Sequence, residues 1–481
     1  MVLHRNPKTL LTLPLWPVKK KWGFFQKAAG NCSFSTGLAS IAAVVRNAGF
    51  PIFAKDTQVE GMGEQQFAHY LKEGKFDVIA MPCFIASVPF VKRTAQICRQ
   101  ILPNSKVVIG NIQPTMFPEE TLSYCNDADI AVMGAGEYTF LEYLQYLRDE
   151  SPELTEIPGL AVNNGGNVVI NQPRKPMTEI DSLPMPAYDM FPMEKYVLPL
   201  TNIKRYPTYS IITSRGCPYP CGFCTGHHVH GYKVLHRSIE ATIEEILYLK
   251  NRFNARGIMF HDSTFTVSRK WTIELCEALL KNNIDLPWMC FTRVDRVDRE
   301  LLSIMKNAGC WAISFGIESG NQKSLDLIKK GTTVEQAEEA IRQCLELKIF
   351  VLHSFIMGLP GENEDDIHNT YKFAKKLGGH VTYFFLPVPF PGTLLHQLAK
   401  NDKGLKKDIA WTDYSDLKTL PYINPNIGGE KMLKLLRKYY IGYYSSPKII
   451  YRNLKELNSI DAIKKYWTAA GALLQIIFQG E

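Results

Sequence analysis

Residues 210–224 read SIITSRGCPYPCGFC: an apolar, β-branched run breaks into glycine and proline and then presents Cys217, Cys221 and Cys224. The run has strand composition and the turn residues end it, so the cysteines stand on a loop at a strand's carboxyl end. Outward from this segment the chain alternates. Strands are expected at 209–214, 257–261, 288–292, 311–317, 351–357 and 381–386, each followed by a helical pattern or a loop. The helices carry start and stop signals. Ser238, Ser268 and Asp298 precede apolar periodic faces, Gly309 follows one, and Thr333 with Gln336 makes a capping box. Six strand–helix units in succession predict an open, partial (β/α)6 barrel of the TIM-like kind, whose reactive groups gather at the strand carboxyl ends.

Residues 1–150 alternate in the same way on their own. Strand candidates 9–13, 52–55, 76–81, 106–110 and 129–133 enclose amphipathic stretches such as 38–47, closed by Gly49, and 88–102, closed by Pro103. That pattern predicts an α/β, Rossmann-like, doubly wound parallel sheet with ligands beyond the strand ends. No GxGxxG follows its first strand, which disfavours a nicotinamide dinucleotide. Residues 151–205 are rich in Pro, Gly and Asn and read as a linker with one small hairpin at Gly165 and Gly166. Residues 396–481 show no strand alternation and read as mainly helical. The expected divisions are therefore 1–150, 151–205, 206–395 and 396–481.

A chain of 481 residues exceeds what one hydrophobic core serves. A net charge of +8 is mild for that length, and the one tight basic run, 19–21, reads as a solvated loop; nothing favours nucleic acid. No stretch approaches the roughly 20 apolar residues of a membrane span, and the apolar 469–478 reads as a packed terminal helix. The opening residues lack a cleavable export signal, so a cytoplasmic location without disulfides is expected. Eight of the 11 cysteines (Cys32, Cys83, Cys98, Cys125, Cys276, Cys290, Cys310, Cys344) stand singly and read as small buried hydrophobes.

The remaining three are a ligand set. Soft thiolates suit an iron–sulfur cluster, and three of them on a four-iron cluster leave one iron open for substrate. Zinc remains open as well, with a fourth ligand from His227, His228 or His230. Those histidines are also the candidate proton donors beside a substrate.

CxxxCxxC behind the first strand of a partial barrel resembles the radical S-adenosylmethionine superfamily, over about residues 205–395. The resemblance implies a [4Fe-4S] cluster on Cys217, Cys221 and Cys224 and S-adenosylmethionine on its open iron. It implies further sites in turn. FHDSTF (260–265) with Asp262 would help hold the methionyl amino group, and Arg293 in FTRVD its carboxylate. Glu318 in SFGIESGNQKSLDLIKKGTT would face the ribose, Gly358 in FIMGLPGE the adenine, and PFPGT (389–393) follows the sixth strand.

In the first domain, Asp56, Gln58 and Gly61 resemble the Asp-x-His-x-x-Gly loop of cobalamin-binding domains, with Gln58 where the cobalt-ligating histidine would stand. Ser87, Gly110, Asn111, Gly134, Gly136 and Glu137 fall in the later loops that would receive cobalamin. The whole chain is thus similar to cobalamin-binding radical enzymes with an amino-terminal B12-binding domain. That class implies a methyltransferase acting on an unactivated carbon of a small-molecule, natural-product or lipid-type substrate, through a 5′-deoxyadenosyl radical and methylcobalamin. A cyclase or rearranging enzyme without methyl transfer is the alternative, and a non-catalytic corrinoid sensor a remote one. An external flavodoxin- or ferredoxin-type electron donor and a monomeric chain are expected. Glutamine is a poor cobalt donor, so a cobalt without a strong lower ligand is expected too.

Overall fold

The computed structural model describes residues 3, 5–16, 34–414 and 419–455; the run 19–21, Cys32 and the stretch 469–478 lie outside the described residues. The first five strands are β1 (Thr9–Thr12), β2 (Ile52–Lys55), β3 (Val78–Pro82), β4 (Lys106–Gly110) and β5 (Ile130–Val132). They are parallel and run β2-β1-β3-β4-β5. Leu11, Ala80, Val108 and Val132 pack under helices Thr36–Asn47 and Gly136–Asp149, while Leu10, Ile79, Met81 and Ile109 face helices Glu64–Gly74 and Val88–Ile101. Covered on both faces, such strands read as continuous apolar runs rather than alternating ones.

β6 (Leu160–Asn164) and β7 (Asn167–Ile170) then add to the β5 edge as an antiparallel hairpin. Gly165 and Gly166 supply its turn with φ of 65° and 101°, which a side-chain-bearing pair would adopt only under strain. Residues 160–170, read from sequence as part of the linker, therefore extend the first sheet.

The second sheet follows: β8 (Thr208–Ile211), β9 (Ser214–Arg215), β10 (Leu235–His236), β11 (Gly257–Phe260), β12 (Trp288–Thr292), β13 (Cys310–Glu318), β14 (Phe350–Ile356) and β15 (Val381–Phe385). Six of these run parallel in the order β8-β11-β12-β13-β14-β15, and β9 with β10 forms a small antiparallel ribbon. Helix starts fall where predicted: the side chains of Ser238, Ser268, Asp298 and Thr333 accept from the backbone N–H three residues on.

Alternation decides which residues face the barrel interior. Ile258, Phe260, Trp288, Cys290, Ile313 and Phe315 share one core with helix residues such as Leu275 and Leu301. Their sequence neighbours Met259, Met289 and Ala312 share another with Leu352 of β14 and with Leu198 and Ile203 of the linker. The linker therefore plugs the lower half of the barrel. At its open edge β15 is sealed by the helix Gly429–Tyr444: Tyr440 Oη accepts from Phe384 N (3.0 Å) and donates to Phe384 O (3.1 Å), and Tyr444 Oη does the same at Thr382 (3.0 Å each). Two hydroxyls thus satisfy an edge that would otherwise need another strand. The singly placed cysteines Cys83, Cys98, Cys125, Cys276, Cys290, Cys310 and Cys344 are all buried.

Candidate active site

The loop carrying the three cysteines leaves β9 and is pinned from three sides. Gly216, at φ 92°, lets it turn; a Cβ there would stand 2.1 Å from the Lys233 carbonyl. Gly222 donates to Ile328 O (2.7 Å) and accepts from Leu395 N (2.8 Å), which docks the loop on the helix after β15. From below, the buried Asp262 accepts at one oxygen from Thr213 N and Oγ1 (3.0 Å each) and Ser214 Oγ (2.5 Å). Burial pushes its carboxyl up to about 6. Asp262 thus fixes where the cluster loop begins, and its neighbours His261 and Ser263 face the cavity instead.

Cys217 and Cys221 are half-buried and Cys224 is accessible. Burial raises the thiols of Cys221 and Cys224, and nearby cations oppose it. Arg293 Nη1 lies 3.7 Å from Cys221 Sγ, with its guanidinium 3.8 Å over the Tyr219 ring. It also donates to Asp295 (2.8 Å) and to Lys330 O (2.8 Å). Lys330 Nζ donates to Glu318 (2.8 Å), whose backbone sits at φ 72°, a strained setting for a residue with a side chain. Gly226 N–H points at Cys224 Sγ (3.3 Å). Two cations and a backbone N–H beside three thiols suit a group of net negative charge. Among the described residues no three Cys, His, Asp or Glu converge closely enough for a single metal ion; a four-iron cube, being larger, does not require that convergence.

Above this mouth lies a cavity of about 400 Å³ shared by both domains. The first domain lines it with Gly110, Asn111, Gly134, Gly136 and Glu137, and with the Phe84 ring, 49% exposed; the barrel adds Arg215, His230 and His261. Small residues beside an uncovered aromatic ring fit a broad, flat ligand of the corrin type. Glu137 and Arg215 join the domains across it at 2.5 Å, with Ser40 donating to Glu137 (2.9 Å). Burial draws the Glu137 carboxyl upward, but Arg215 outweighs it and holds the group below the ordinary value.

Not every predicted residue reaches the cavity. Ser87 shapes the turn beneath Phe84, accepting from Phe84 N at 2.8 Å. Asp56, Gln58 and Gly61 do not line it: β2 is the edge strand, so its loop lies beside the switch point between β1 and β3. There Asp56 accepts from Gln58 N and Val59 N (3.0 Å each) and from Tyr196 Oη (2.7 Å), and Gln58 Nε2 donates to Pro14 O (3.3 Å). Of the three histidines, His230 faces the cavity, its imidazole lowered by desolvation to about 4, while His227 stacks on Tyr232. Gly358 (φ 86°) makes a turn held by Glu362 (2.9 Å) against Met432. Sequence reasoning passed over Arg215, Lys330 and His261. The first two stand inside the quoted SRGC and IKKGTT segments, and strand alternation from Met259 points to the third.

Three thiols at the mouth of a parallel partial barrel, flanked by cations and roofed by a second domain's ligand edge, suit a cluster-dependent enzyme. Residues 211–374 match the Radical SAM superfamily and residues 27–144 the B12 binding domain family. The chain is 30% identical over 472 residues to an uncharacterized methyltransferase of Pyrococcus horikoshii, covering 98% of this chain and 99% of that one. It is 27% identical to the cytidylyl-2-hydroxyethylphosphonate methyltransferase of Streptomyces wedmorensis, over 77% and 78% of the two chains. In fold it is similar to the radical S-adenosylmethionine methyltransferase TsrM of Kitasatospora setae, solved with cobalamin and a [4Fe-4S] cluster, with a TM-score of 0.72 at 17% identity over 92% of this chain and 89% of that one. The chain belongs to the radical SAM superfamily, in the group whose barrel follows an amino-terminal B12-binding domain.

Proposed function

We propose that the chain is a cobalamin-dependent radical S-adenosylmethionine methyltransferase that acts on an unactivated carbon of a small molecule. The observation that carries this reading is the shared cavity: the B12-binding edge of the first sheet opens onto the same space as the end of β11 and the loop that leads into Cys217. When bound, the cluster supplies the electron that cleaves S-adenosylmethionine, and cobalamin carries the methyl group. The chain's own part is placement. Cys217, Cys221 and Cys224 hold the cluster. Arg293 and Lys330 are the cations for its charge and for the methionyl carboxylate, with Glu318 toward the ribose and the Gly358 turn toward the adenine. Gly110, Asn111, Gly134 and Gly136 leave room for the corrin. The linker plug at Leu198 and Ile203 closes the barrel floor to water, which protects a radical from quenching. A flavodoxin- or ferredoxin-type donor, a monomeric chain and a cytoplasmic location go with this reading. Among the described residues no helix is long and apolar enough to cross a membrane.

The test is anaerobic reconstitution with iron, sulfide, cobalamin and a low-potential reductant. Wild type should form 5′-deoxyadenosine from S-adenosylmethionine, and Cys221→Ala none. With substrate present, S-adenosylhomocysteine and a product heavier by one methylene are expected. A product of unchanged carbon count that has lost hydrogen would instead make the chain a ring-forming enzyme.

A further inference from the structure

Among the described residues, the upper half of the barrel interior keeps several inward side chains accessible. Its inward residues follow the parity of Met259, Met289 and Leu352, yet where those are buried, His261 and Phe385 are exposed and Phe291, Ser314, Ser354 and Tyr383 are half-buried. Register makes them one surface. Phe291 pairs with Ser314 and Ser354 with Tyr383, while Phe260 pairs with Cys290 one residue below His261 and Phe291. The His261 ring lies 5.3 Å from that of Phe291, and Tyr383 stacks on Phe385 at 5.9 Å. Tyr383 Oη is already tied to Thr201 Oγ1 of the linker (2.9 Å). None of the six side chains is an acid, a lysine or an arginine.

Among the described residues, the charges at the barrel mouth are paired. Arg293 is bonded to Asp295 (2.8 Å), Lys330 to Glu318 (2.8 Å) and Arg215 to Glu137 (2.5 Å). An ionic substrate would meet, among the described residues, only charges that already have partners. His261 stands apart from the other five. It lies at the end of β11 and lines the inter-domain cavity, so one imidazole borders both the lumen and the space beneath the B12-binding edge. Desolvation lowers its pKa, which favours the neutral ring that both donates and accepts.

We propose that the lumen takes an uncharged, largely apolar substrate bearing one hydroxyl or carbonyl, and that His261 hydrogen-bonds this group and so sets which carbon faces the methyl donor. The proposal rests on the barrel being the reaction chamber of the proposed methyltransferase. His261 here is a substrate-positioning residue.

Matched probes test it on the holoenzyme loaded with cluster, cobalamin and S-adenosylmethionine but without reductant, so that binding is read apart from turnover. Dissociation constants for 2-naphthol and 2-naphthoate are measured by ligand-observed saturation-transfer NMR. 2-Naphthol should bind about tenfold tighter than 2-naphthoate. His261→Ala should weaken 2-naphthol about tenfold, the size of one lost hydrogen bond, and His261→Gln should recover part of it. Retention of cobalamin through gel filtration shows that each variant is folded. Equal or tighter binding of 2-naphthoate, no binding of 2-naphthol to wild type, or unchanged binding by His261→Ala overturns the proposal. Failure to form 5′-deoxyadenosine in the separate reductive assay would overturn the radical reading and leave these binding results standing.

Discussion

At the scale of single residues the chemistry is set by where a few side chains end up. Gln58 is the instructive one. By pattern it occupies the position of a cobalt ligand, but its amide donates to the Pro14 carbonyl at 3.3 Å, beside the cavity rather than in it. Introducing imidazole there should therefore change nothing at the metal. In Gln58→His reconstituted with cobalamin, the cob(II)alamin electron paramagnetic resonance spectrum should match wild type, without nitrogen superhyperfine splitting from that side chain. Splitting that appears only in the variant would move this loop beneath the corrin. Arg293 shows the opposite case: singled out in sequence, it lies against Cys221, Tyr219, Asp295 and Lys330 O at once.

The elements explain why the cluster loop holds its shape. β9 and β10 pair only Arg215 with Leu235 and Ser214 with His236, yet that two-residue ribbon closes the loop's return. Gly216 sits at its hinge. Gly216→Ala would force a φ near 92° on a residue that resists it by about 1–2 kcal/mol and would drive Cβ into the Lys233 carbonyl. Iron and acid-labile sulfide per chain after reconstitution should fall by more than half while far-UV circular dichroism stays near wild type. Full iron loading in the variant would show the ribbon to be dispensable. At the open edge of the barrel, Tyr440 and Tyr444 seal β15 through its backbone.

For the whole molecule the question is what keeps the B12-binding domain over the barrel. Glu137 and Arg215 form a largely buried ionic link between them, with side chains 5% and 15% exposed. Removing one partner of such a pair leaves an unpaired buried charge, and Glu137→Gln should destabilise the fold by roughly 3–5 kcal/mol. Cobalamin should also dissociate faster from the reconstituted variant, read by its absorbance after dilution; an unchanged rate would confine the pair to a structural part. The sign of its pH dependence follows from the carboxyl lying below its unfolded value of 4.5. Its stabilisation is complete above that value and is lost only as acid drives the pH down through the lower folded-state pKa.

Most of the architecture was legible in the residues, because hydrophobic period and caps are local signals. The strands at 52–55, 106–110 and 288–292 fall where composition put them, and Ser238, Ser268, Asp298 and Thr333 cap as predicted. The cysteine loop announced itself by spacing alone. What only the tertiary structure decided is pairing across distance. It made β2 an edge strand and thereby took Gln58 out of the cavity, and it turned Asp262 beneath the loop and His261 into the lumen. It also brought Arg215 to Glu137, 78 positions away in the chain. Strand order and side-chain direction at a strand's end are settled by which surfaces bury one another, and no short stretch of sequence carries that information.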